Sequence, residues 1–111
     1  MQLNGMYLLL YERVIPMIAD IKNAGLSKDF VEAVVSRTIK SRIEEITQKL
    51  TDLYNSMQYF EKKYGMKTEE FYKKILTGSL GDDMDFFEWK ASCEVYKELQ
   101  EERKALFEAI G

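Results

Sequence analysis

Histidine is missing from this 111-residue chain, and cysteine, proline and tryptophan each occur once. Without histidine the chain lacks the commonest general base and the commonest metal ligand. The single Cys93 cannot close an internal disulfide, which suits a reducing cytosol, and with no activating partner in view it reads as an inert helical thiol. Long apolar runs are absent as well. The stretch Met6–Tyr11 is six residues long with no basic residue before it, whereas a membrane span needs about 20 apolar residues and a leader needs a positive flank. An excess of positive charge is also missing: 16 basic residues stand against 19 acidic ones, a net charge of −3, which argues against general nucleic-acid affinity. No glycine-rich phosphate loop occurs. The run GDDMD at 81–85 lacks the twelve-residue spacing and distal glutamate of a calcium loop. These absences predict a soluble, cytoplasmic protein that is not an enzyme and takes no metal or cofactor.

What is present is helical periodicity. Hydrophobic residues make up 46% and charged residues 32%, the balance of a folded chain, and the length suits a single domain over 1–111. Ile39, Ile43, Ile46, Leu50, Leu53, Met57, Phe60 and Tyr64 recur at alternating spacings of four and three, which is a heptad seam. No proline or glycine interrupts Leu26 through Tyr64. Ser27 is a good N-cap and Gly65 a good residue just past the end, so one long helix is predicted over 27–64. A rod of roughly 57 Å at about 1.5 Å per residue has to lie against other helices or a second copy. The predicted fold is all-α: a long-helix antiparallel hairpin or bundle with a coiled-coil-like seam, dimeric.

Two further helices follow. Thr68 with Glu69 and Glu70 reads as a cap and acidic first turn of a short helix over 68–77, given an apolar side by Phe71, Tyr72, Ile75 and Leu76 and ended by Gly78. Asp85 with Glu88 three residues on matches a capping box opening a last helix over 84–110. Phe86 and Trp89 share a face there, and Phe87 sits about 100° round, so either the segment is buried on two sides or one ring is offered outward. From Asp82 onward nine acidic residues face four basic ones, a balance of −5, while the remainder carries +2. Arg103 interrupts the apolar stripe of this helix, either lying along the surface or reaching a carboxylate on a partner.

The N-terminal segment, 1–26, has two readings because Pro16 disfavours helical geometry at Ile15. In one, Tyr7–Tyr11 is extended and a short helix begins at Pro16; in the other, a kinked helix runs from Leu3 to Ala24. The first gives the element order of a ribbon-helix-helix DNA-binding dimer. The candidate strand Tyr-Leu-Leu-Leu-Tyr, however, has no side chain suited to reading bases.

The string FEKKYGMKTEEFYKKILTGSLGDDMDFFEWKASCEVY, residues 60–96, resembles a pattern in small helical prokaryotic proteins, some of them the antitoxin-like partner in a two-gene toxin–antitoxin module. The matching positions are Phe60, Tyr64, Gly65, Met66, Glu70, Phe71, Gly81, Asp82, Asp83, Asp85, Phe87, Glu88 and Trp89. The resemblance implies a non-catalytic protein that binds and restrains a partner. Aromatic anchors rimmed by charge are what interface hot spots look like, so Asp82, Asp83, Asp85, Phe87 and Trp89 are the candidate partner-binding residues. Two alternatives stand beside this: a self-associating scaffold zipped along the Ile39–Tyr64 seam, and a ribbon-helix-helix-like DNA-binding dimer.

Overall fold

The computed structural model describes Pro16 and residues 25–110. They form three helices, α1 (Lys28–Tyr64), α2 (Thr68–Leu76) and α3 (Met84–Ile110), with no strand among the described residues. The fold is therefore all-α. Both readings of the N-terminal segment, the Tyr7–Tyr11 strand and the Leu3–Ala24 helix, concern residues that, Pro16 apart, lie outside this description.

Each helix end has a local cause. The backbone N–H of Phe30 donates to Ser27 Oγ at 3.1 Å, so Ser27 caps α1. At the other end Gly65 takes φ +66° and donates its N–H to the Glu61 carbonyl at 2.9 Å, satisfying an orphan acceptor of the last turn. α2 stops in a Schellman arrangement: Gly78, at φ +72°, donates to the Ile75 carbonyl and Ser79 to that of Lys74.

Two helix starts differ from expectation. Thr68 is the first residue of α2 rather than its cap, and the capping position falls to Lys67, whose side chain makes no cap bond. A carboxylate from α1 takes that role, Glu61 Oε2 accepting the Thr68 N–H at 2.8 Å. At α3 the cap is Asp83, not Asp85: Asp83 Oδ1 accepts the Asp85 N–H at 2.8 Å, and its carbonyl accepts from Phe86 at 3.0 Å. The expected capping box gives way because the Asp85 side chain is engaged elsewhere.

The chain divides into two compact units. One is Ile46–Glu101; the other comprises Met1–Glu45 and Glu102–Gly111, of which residues 25–45 and 102–110 are described, together with Pro16. In the second of these, Val31, Ile43 and Leu106 are buried, and with them Glu102. Its carboxylate accepts from Arg42 Nη2 at 2.8 Å, while Arg42 Nη1 reaches the exposed Glu45 at 3.0 Å. A buried carboxylate held by a guanidinium is tolerable because the pair and its hydrogen bonds replace the water both groups have lost. In the Ile46–Glu101 unit the core cluster is Met57, Phe60, Phe71 and Trp89. Tyr64, Met66, Tyr72, Ile75, Leu80, Phe86, Cys93 and Tyr96 pack against it.

The predicted seam maps onto buried positions. Ile43, Ile46, Leu50, Met57 and Phe60 are buried, and Ile39, Leu53 and Tyr64 are half-buried. Water is thus kept from most of the row within a single chain.

Candidate partner-binding face

The face begins with the element that fixes it. The Trp89 ring is fully buried and lies flat on Phe71, with centroids 3.9 Å apart and planes 5° from parallel. Phe60 and Tyr64 of α1 stack near its other sides at 5.6 and 6.0 Å. Its Nε1–H donates to Thr68 Oγ1 at 3.1 Å, so the one polar atom of the indole is satisfied. α1, α2 and α3 all contribute a side chain to this ring. A nine-residue helix such as α2 would not persist alone in water, and this contact gives it a reason to form.

Asp85 adds a polar clamp. Its Oδ2 accepts from Lys63 Nζ at 2.5 Å and from the Tyr64 hydroxyl at 2.6 Å. These bonds, that of Lys63 first, hold the Asp85 carboxyl below its ordinary value of 3.8. The same contact raises Lys63, and hydrogen bonding to Asp85 raises Tyr64 above its ordinary 10.0. At Glu61 partial burial pushes the carboxyl up, but the bonds from the Thr68 backbone and hydroxyl, with Lys67 nearby, lower it below 4.5 on balance.

The five candidate residues therefore have different fates. Trp89 is a core residue, which corrects its placement on a partner-facing surface: its large apolar ring found partners on two other helices. Asp85 is half-buried and bound to α1. Asp83 is exposed and caps α3. Asp82 is exposed, and Phe87 is 60% exposed. Phe86, one residue earlier, turns inward against Tyr64 and Phe71 at 5.0 and 5.8 Å. Sequence reasoning passed over Met84, which is 78% exposed between Asp83 and Asp85. A methionine at the first position of a helix, directly between two aspartates, was the available signal. Glu61 and the Arg42–Glu102 pair were passed over too, because polar residues on a helix ordinarily face water.

An open groove of about 950 Å3 runs along the Ile46–Glu101 unit, lined by residues of all three helices, among them Met57, Tyr72, Cys93 and Tyr96. Burial pushes the Cys93 thiol up to about 11, so it stays protonated at neutral pH. Among the described residues no three acidic or thiol side chains converge as a metal site would require, and no helix is long and apolar enough to cross a membrane. Comparison with protein-family models, with curated proteins and with solved structures finds no match for this chain.

Proposed function

We propose that this is a non-catalytic interaction protein that binds and restrains a partner through the acidic, apolar-tipped start of α3, in the manner of an antitoxin-like protein working in the cytosol. One observation carries the reading. Phe87 and Met84 stand 60% and 78% exposed beside the exposed carboxylates of Asp82 and Asp83, on a segment anchored by the buried Trp89 and the Asp85 clamp. A rigid platform means that little ordering cost is added on association. Covering the part of either side chain that is still exposed would contribute about 1–2 kcal/mol. A partner that handles RNA has a basic groove for phosphates, and carboxylates beside an exposed ring can occupy such a groove in their place. The helical packing belongs to the proposal: α1 and α3 lie antiparallel as a hairpin with a coiled-coil-like seam. Its support is that Phe60 meets Trp89 whereas Tyr64 meets Phe86 and Asp85.

The test is co-expression with the product of the adjacent gene, followed by gel filtration. The reading expects a complex that persists through the column and weakens at least tenfold with Asp82→Lys combined with Phe87→Ala. Both residues are exposed, so the fold should be unaffected. No complex, or one indifferent to that pair of changes, would defeat it.

A further inference from the structure

The apolar tip is the start of a longer feature. Met84, Phe87, Ala91 and Val95 follow one another at spacings of three, four and four, which puts them on one side of α3. All four are exposed, Met84 at 78%, Phe87 at 60% and Val95 at 42%. On the opposite side Trp89 is buried, and Phe86 and Cys93 are half-buried against the core. The stripe is about 16 Å long at about 1.5 Å per residue. Exposed carboxylates rim it: Asp82 and Asp83 at the head, Glu88 and Glu94 along the flanks, Glu98 at the foot. Lys90, the basic residue of α3 within this span, is paired with Glu94 at 3.7 Å.

We infer that this outer face of α3 is a docking surface for a cationic amphipathic helix of another protein, whose apolar ridge lies along Met84–Val95 and whose lysines or arginines meet the flanking carboxylates. The inference rests on the interaction reading above and gives its partner a chemistry. Three arguments select that occupant. A single apolar ridge at helical spacing meshes with another helix. Backbone groups within α3 are already bonded to one another, so no strand can be added to it. A second copy laid on this face, in either direction, would bring one acidic rim against another, and nucleic acid would meet the same repulsion.

The experiment uses the full chain and a synthetic helical peptide of about 18 residues, with leucines at i, i+3, i+4, i+7 spacing and lysines elsewhere, followed by fluorescence anisotropy of the labelled peptide. A control peptide carries glutamate at every lysine position. The lysine peptide should bind, the glutamate peptide should not, and Ala91→Lys with Val95→Lys should weaken binding at least tenfold. Equal binding by the double variant, binding of the glutamate peptide, or no binding of the lysine peptide would overturn the inference. So would sedimentation showing that the protein alone is a dimer dissociated by Ala91→Lys with Val95→Lys, since the occupant would then be a second copy. The same double variant separates this inference from the functional reading. A complex with the adjacent gene product that ignores changes at Ala91 and Val95, yet fails with Asp82→Lys and Phe87→Ala, overturns the helix-docking inference and leaves the functional reading standing. Failure of every complex defeats the functional reading itself.

Discussion

Replacing Thr68 by valine keeps the shape of the side chain and removes the hydroxyl that accepts the Trp89 indole N–H. The ring is 0% exposed, so water cannot take the place of the hydroxyl. A buried donor left without a partner costs about 1–3 kcal/mol. At a urea m-value of about 2 kcal/mol/M this moves the unfolding midpoint down by about 0.5–1.5 M. Because Trp89 is the sole tryptophan, its fluorescence reports unfolding of the Ile46–Glu101 unit directly in this variant. Helical circular dichroism serves for the companion Trp89→Phe variant, which has no donor to strand. In that background Thr68→Val should cost only what the hydroxyl's own bond to Glu61 is worth, about 0.5–1.5 kcal/mol. The loss of the bond to Glu61 is common to both backgrounds and cancels, so the coupling between the two positions is the stranded donor alone, about 1–3 kcal/mol. Thr68 also begins α2, but its own N–H bond to Glu61 is a backbone bond and survives the substitution. Equal costs in the two backgrounds would refute the reasoning, because the hydroxyl would then matter for some reason other than the indole.

Three more outcomes are expected. Since Asp85 titrates lower in the folded chain than its ordinary 3.8, its contribution is whole above that value and drains away as the pH falls through the lower folded one; Asp85→Asn should therefore flatten the loss of the urea midpoint between neutral pH and pH 3. Removing Arg42 strands the buried Glu102 carboxylate, so Arg42→Ala should cost about 3–5 kcal/mol by thermal or urea unfolding, with Glu102→Gln costing less because it leaves no buried charge. Gly78→Ala, at φ +72° with open space around it, should cost about 1–2 kcal/mol through backbone strain alone. At Gly81, where φ is not positive and nothing lies within 4 Å, alanine should instead be neutral or stabilising by about 0.4–1 kcal/mol.

Much of the helical layout was legible because it rests on local rules. The four-and-three spacing from Ile39 to Tyr64 marks a stripe whatever covers it, and Ser27, Gly65 and Gly78 act within a turn of their own position. The starts of α2 and α3 were harder. Thr68 and Asp85 both fit a cap by spacing, but tertiary partners claimed their side chains: the indole took the Thr68 hydroxyl, and Lys63 and Tyr64 took the Asp85 carboxylate. Asp83 and Glu61 then served the backbone. Trp89 was misread for a related reason. Burial of a large ring depends on which distant residues come to meet it, and Phe71 is eighteen positions away with a glycine-punctuated turn between. The 100° separation of Phe86 and Phe87, by contrast, is pure helix geometry and needs no knowledge of neighbours.

The spacing of two polar contacts along the chain has a kinetic consequence. Bringing Tyr64 to Asp85 closes a segment of 21 residues, whereas bringing Arg42 to Glu102 closes one of 60. For a flexible chain the longer closure costs about 0.9 kcal/mol more in entropy. The aromatic end is accordingly the cheaper place for a newly released polypeptide to find its first long-range contact, and the Arg42–Glu102 closure becomes shorter in effect once that contact has formed.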